Sequence, residues 1–253
     1  MLRLDGIRKR FGTLKILDGV SAEIQGRMVT AFIGPNGAGK TTLFHTISGD
    51  LIPDAGQVEL AGRNITGMPP WRIARLGLGK QFQDVRVFRN LSCEDNLVLA
   101  LYNSSHHQAI RAPWSFLPGL GISSRPLAQL REEARWGLGR VGLAGQAGQM
   151  AGALSFGNQK LLAFARLLAG RFTFLLLDEP ASGVSAATLE RIVEIIRRAV
   201  AEGVTVALIE HNMHFVAQLA DTTYVLKDGA IFDRGPTEDV LRRPANRELC
   251  MGM

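Results

Sequence analysis

Apolar residues in this chain fall into two kinds of run. Met28–Ile33 (MVTAFI), Phe172–Leu177 (FTFLLL) and Val204–Ile209 (VTVALI) are short and continuous, the pattern of strands buried on both faces of a parallel sheet. Between the last two, Leu189, Ile192, Val193, Ile196 and Val200 recur at helical spacing. Ala186 to Glu202 is therefore expected as an amphipathic helix, with Glu194 and Arg198 paired on another face. Strand, helix, strand in this order predicts a βαβ unit. The N-terminal stretch differs. Met1–Ile7 and Gly19–Ile24 alternate only partly and flank a turn-prone segment. Val58–Leu60 and Asn64-Ile65 flank a hairpin signal, Ala61-Gly62-Arg63, and Tyr224–Leu226 and Ile231-Phe232 flank the turn pair Asp228-Gly229. From Glu94 to Leu143 helix formers dominate two stretches, Glu94–Tyr102 and Pro126–Val141, around a polar linker with Pro and Gly, Asn103–Ser124. The pattern predicts an α/β core with a helical unit inserted into it.

Composition narrows this little. The 253 residues, 46% apolar and 21% charged, suffice for a sizeable core and one or two units. Net charge is +6 and the pI about 9.8, which suits nucleotide phosphates, anionic lipid or nucleic acid. No basic run with interleaved aromatics stands out, so no nucleic-acid partner is expected. Cys93 and Cys250 match no metal spacing and predict no disulfide framework, which fits a reducing cytoplasm. The first residues lack an apolar leader pattern, and Arg166, Gly170 and Arg171 interrupt the longest apolar stretch. Neither a secretory signal nor a bilayer span is expected.

The segment Gly34-Pro35-Asn36-Gly37-Ala38-Gly39-Lys40-Thr41-Thr42 carries a specific chemistry. It fits G-x-x-x-x-G-K-[ST], placed between an expected strand and an expected helix. Glycines at 34, 37 and 39 let the backbone curl so that successive N–H groups converge on a triphosphate, and the helix N-terminus adds its dipole. Lys40 is expected to reach the β- and γ-phosphates, and the Thr41 hydroxyl to bind Mg²⁺. A Gly-rich turn that merely contains Lys-Thr would not need both flanks.

Other residues join this loop. Asp178 ends the FTFLLL strand and suits an Mg²⁺ ligand; Glu179, one residue on, suits polarising a water for in-line attack. The bland alternative is an Asp-Glu-Pro turn capping the next helix. His211 follows the VTVALIE run, where an imidazole can contact the γ-phosphate and the attacking water. Gln83 can join the Mg²⁺ shell and report nucleotide state to the inserted unit, with Gln81 as a competing candidate. Ser155 suits an N-cap for a helix over Lys160–Ala169, and the N–H groups around Gly157 form a second anion site. Two anion sites far apart in sequence suggest that one serves a nucleotide held by a neighbouring subunit.

In this order, phosphate loop, Gln83, LSFGN (154–158), FLLLDEP (174–180) and His211, the chain resembles the ATP-binding cassette (ABC) ATPases. The resemblance nearly spans the chain. It implies a P-loop NTPase (RecA-like) α/β core with an N-terminal antiparallel β subdomain and an inserted α-helical subdomain. Residues 1–253 would form one ATPase domain, with a nucleotide-binding core over 1–83 and 160–253 and a helical subdomain over 84–159. Phe11 matches the aromatic that stacks on adenine. Ser155, Phe156, Gly157 and Asn158 form the signature, whose Ser155 and Gly157 would bind the γ-phosphate of ATP on the opposite subunit of a head-to-tail dimer. ATP and Mg²⁺, held by Thr41, Gln83 and Asp178, are the implied ligands. The usual LSGGQ reads LSFGN here, and Ser185 stands where an Asp is usual.

A narrower resemblance rests on FQDVRVFRNLSCEDNL, the long insert, IEHNM and the ending GAIFDRGPTEDVLRRPANRELCMGM. These look like the ATPase subunits of branched-chain amino acid importers, and closely similar ATPases serve urea and short-amide importers. That resemblance implies two membrane permease subunits, a second ATPase subunit (a heterodimer, with a homodimer left open), an extracytoplasmic binding protein, and a peripheral place on the cytoplasmic face of the membrane. A non-transport ABC ATPase is the alternative, and a small-molecule kinase would leave LSFGN and His211 unexplained. His106-His107, Trp114 and Trp136 read as surface loop and packing rather than a metal site.

Overall fold

A computed structural model describes residues 1–81, 83–109 and 126–251. Its chain divides into two compact units, one of residues 1–83, 173–182 and 196–253, the other of residues 84–172 and 183–195.

The first unit holds two sheets. In one, β1 (Leu2–Phe11) lies between β2 (Leu14–Ile24) and β4 (Ala55–Leu60), with the two-residue β5 (Arg63–Asn64) at the edge, all antiparallel. Here β1 and β2 run through the segment expected as a turn, and the reversal is confined to Gly12-Thr13. Register shifts between Leu4 and Ile7 and again between Lys9 and Arg10 break the period-two pattern, which is why alternation is only partial in the sequence.

The other sheet has the order β10-β9-β3-β8-β7-β6. β3 (Val29–Ile33), β7 (Phe174–Asp178) and β8 (Thr205–Ile209) are buried at every residue, as their continuous apolar runs require. β3 pairs in parallel with β8 on one side and β9 (Thr222–Lys227) on the other, and β7 pairs in parallel with β8 and with β6 (Leu78–Gln81). β10 (Ala230–Pro236) closes the edge antiparallel to β9 through the Asp228-Gly229 turn. The helices of this unit are α1 (Lys40–Ile47), α2 (Pro70–Arg75), α7 (Met213–Leu219), α8 (Thr237–Arg242) and α9 (Pro244–Met251).

The second unit packs α3 (Cys93–Ala109), α4 (Leu127–Arg140) and α5 (Phe156–Ala169) together, burying Leu97, Leu101, Leu130, Ala134, Leu138, Leu162 and Phe164. Glu94 of α3 accepts from Arg131 and Arg135 of α4, each at 2.7 Å. The Arg135 guanidinium, with Arg131, holds that carboxyl below the usual range. The helix expected to end near Tyr102 continues to Ala109; the rest of the expected linker, including Trp114, lies outside the described residues, as do the side chains of His106 and His107. Trp136 is exposed on α4 beneath Arg140, 4.9 Å from its ring. α5 packs on α3 and α4, within the compact unit of residues 84–172 and 183–195. α6 (Ala186–Ala201) begins here, and its residues from 196 on group with the first unit. No helix among the described residues is long and apolar enough to cross a membrane.

Candidate functional site

β3 delivers the chain into the loop Gly34–Gly39 and α1 takes it out. Phe32 near the end of β3 stacks on Tyr224 of β9 at 5.3 Å between centroids and meets Phe44 of α1 edge-on at 5.8 Å. Such pairs add about 0.5–1.5 kcal/mol each beyond area burial, and here they pin both ends of the loop. The backbone is left-handed at Gly34 (φ 143°), Gly37 (81°) and Gly39 (96°). A Cβ at Gly34 would stand 2.1 Å from the Leu226 carbonyl oxygen, and one at Gly39 2.7 Å from that of Ile16. Only glycine fits at those two positions. Lys40 opens α1 and curls back, its Nζ donating to the carbonyls of Gly34 at 2.7 Å and Pro35 at 2.9 Å. Ala38 is buried, whereas Asn36, Gly37 and Thr41 are exposed and Thr42 is half-buried.

Two carboxylates end β7. Asp178 is buried, and its pKa is pushed up to about 6, first by burial and then by Glu179, against the pull of the Lys80 and Lys40 ammoniums. Glu179 turns out of the strand with φ 48°, a left-handed conformation that costs about 1–3 kcal/mol in a non-glycine residue. Its Oε2 accepts from Gln83 Nε2 at 2.9 Å, and its Oε1 lies 3.8 Å from His211 Nδ1. Gln83, Glu179 and His211 therefore meet, although they come from the ends of β6, β7 and β8. Gln81 does not join them: it is buried, and its Oε1 has no hydrogen-bond partner among the described residues.

One residue went unread in the sequence. Glu210, between Ile209 and His211, is fully buried. Its Oε1 accepts from the Ala181 N–H at 2.6 Å, and its Oε2 from those of His211 at 3.1 Å and Asn212 at 3.2 Å. Burial raises its pKa against these donors. The available signal was a charged residue closing a fully buried, mostly apolar strand.

In the second unit, Ser155 caps α5 by accepting from the Asn158 N–H at 3.3 Å. Half of the Phe156 surface is exposed; the ring packs at Gly183, where an added Cβ would stand 3.0 Å from Cε1. Gly157 faces Thr188, whose Oγ1 would lie 2.9 Å from a Cβ there. Phe11, at the end of β1, is also half exposed, with Lys9 Nζ 5.7 Å from its ring centre.

Residues 17–182 match the family model described as ABC transporter. Over 245 residues the chain is 34% identical to the high-affinity branched-chain amino acid transport ATP-binding protein LivG of Salmonella typhimurium, covering 96% of this chain and 94% of that one. The chain belongs to the ABC transporter ATPases. BraF of Pseudomonas aeruginosa, of the same description, is 35% identical over 248 residues, with 96% and 94% covered. Among solved structures, a nucleotide-free ATP-binding cassette from an ABC transporter superposes with a TM-score of 0.83 at 29% identity, covering 98% of both chains. A second cassette, in its ADP conformation, gives 0.82 at 30% identity, with 100% and 99% covered.

These cassettes carry the α/β P-loop NTPase fold expected from the motifs, and this ABC ATPase shares it. Two of its departures from the usual motif residues, Phe156 and Ser185, have local explanations; nothing in the structure explains Asn158. Phe156 occupies surface that Gly183, with φ 72° and no side chain, leaves open. Ser185 caps the helix that follows, its Oγ accepting from the Thr188 N–H at 3.4 Å and lying 3.1 Å from the Thr188 hydroxyl.

Proposed function

We propose that this chain is the ATP-hydrolysing subunit of an ABC importer, coupling ATP binding and hydrolysis to uptake of branched-chain or related hydrophobic amino acids through separate membrane subunits. The observation that carries this reading is similarity to LivG and BraF along nearly the full length of both partners. The contact of Gln83, Glu179 and His211 supports the hydrolytic part.

On this reading the Gly34–Thr42 loop cradles the triphosphate, and Lys40 exchanges its loop carbonyls for phosphate oxygens. The half-exposed Phe11 ring stacks on adenine. Thr41, Gln83 and Asp178 would hold Mg²⁺: all three offer oxygen ligands, which suits a hard cation, and a neighbouring dication would favour the ionised form of the buried Asp178. Mg²⁺ would neutralise charge on the phosphates. Glu179 accepts the proton of the attacking water, oriented from one side by Gln83 and from the other by His211, which also contacts the γ-phosphate. Ser155, Phe156, Gly157 and Asn158 cover the ATP of a second ATPase subunit, and the chain sits peripherally at the cytoplasmic face of the membrane beside two permease subunits.

Glu179→Gln tests the chemistry. The variant should bind ATP with unchanged affinity and lose about 10²–10⁴-fold in turnover; near-normal hydrolysis would remove Glu179 from this role. Light scattering of the same variant tests the assembly. An ATP-dependent dimer means that the chain pairs with itself, and a monomer that binds ATP means that it pairs with a related ATPase. Leucine uptake in cells lacking this chain, with and without its restored copy, tests the substrate class; restored urea uptake in its place would overturn it.

A further inference from the structure

We propose that Glu210 is a positioning residue, whose buried carboxylate clamps the turn carrying Glu179 to the segment carrying His211 and so sets the spacing of those two groups. The proposal rests on the reading of Glu179 and His211 given above.

The ladder between β7 and β8 ends at the pair Asp178 and Ile209. Beyond it the two chains separate, one into the left-handed turn at Glu179 and the other towards α7. Two tethers bridge the gap. The Glu179 N–H donates to the Ile209 carbonyl at 3.0 Å, and the Ala181 N–H donates to Glu210 Oε1 at 2.6 Å. Glu179 thus lies between two anchored points, the arrangement a strained residue needs to persist. The other carboxylate oxygen takes the N–H groups of His211 and Asn212. A capping residue satisfies donors in one segment, whereas Glu210 satisfies donors in two, and those two carry the groups that stand 3.8 Å apart. A carboxylate can do this because both of its oxygens accept; a carboxamide would turn an N–H towards one of the two segments.

The test is a double-mutant cycle on the full chain with Glu210→Gln and His211→Ala, reading kcat, ATP affinity and thermal stability. Glu210→Gln should lower kcat about 10- to 100-fold while ATP affinity stays within about threefold. In the His211→Ala background it should cost little more, because the two changes remove one shared arrangement. If Glu210→Gln does not fold, Glu210→Asp, which keeps the charge and shortens the reach, runs the same cycle. Lowered stability with kcat unchanged, or losses that multiply in the double variant, would overturn the proposal. Persistent turnover in Glu179→Gln would instead overturn the underlying reading, whatever Glu210 does.

Discussion

The Gly34–Gly39 loop of the first unit owes its shape to places where no side chain fits, whereas the Ser155–Asn158 turn of the second owes its shape to side chains. At Gly34 and Gly39 the nearest atoms are backbone carbonyls, which cannot move without moving strands. At Gly157 the nearest atom is the Thr188 hydroxyl, which can rotate away. Ser155 and Phe156 then hold the turn through a cap and a ring contact. A loop walled by backbone tolerates almost no substitution; a turn walled by side chains can change residues and keep its form. That is how Phe156 can stand where a Gly is usual while the Gly34–Thr41 loop matches its pattern at every fixed position.

The contrast can be broken at its strong end first. Gly34→Ala should cost more than about 4 kcal/mol in urea unfolding and abolish ATP binding, while Gly37→Ala, with open space around it, should cost about 1–2 kcal/mol. Equal costs at the two positions would dissolve the distinction. Phe44→Ala, which removes the ring contact behind the loop, should cost about 3–5 kcal/mol.

Asp178→Asn probes the same unit by charge. The folded-state pKa of Asp178 is about 6, above the ordinary 3.8, so the fold favours the protonated form. Its stabilising contribution is complete below pH 4 and is lost as pH rises through 6. The Asn variant should therefore match the parent at low pH and exceed it by about 3 kcal/mol above pH 6, read as the difference between two unfolding curves across pH. A variant less stable than the parent at pH 7 would remove burial as the governing effect. At the weak end, Ser155→Ala should cost about 1 kcal/mol, the usual loss of an N-cap, and leave the phosphate loop untouched.

Legibility in the sequence follows the same divide. The loop, the two carboxylates and the buried strands could be read because each is a contiguous word, with its physics written into neighbouring residues. The extent of β1 and β2 could not, since bulges spoil the alternation that marks a strand. Nor could α2 or the four-residue β6, which is too short for a period. Glu210 stayed hidden for another reason: the partner that makes it a bridge, Ala181, lies 29 residues away and is defined by where β7 and β8 end in space, not by spacing along the chain. Gln83 had Gln81 as a competing candidate, and the strand ending at Gln81 separates them by burying that one.

The wall against which Gly34 presses has a consequence for how the protein is made. It is the carbonyl of Leu226 on β9, so the motif is translated long before the atom that confines it. At roughly 5–20 residues per second, the delay is on the order of ten to forty seconds. Through that interval a nascent chain displays the whole phosphate motif without the strand that gives it form. On the proposed reading, competence for nucleotide would wait on this one strand, and a truncated product ending before β9 should carry the motif without affinity for ATP.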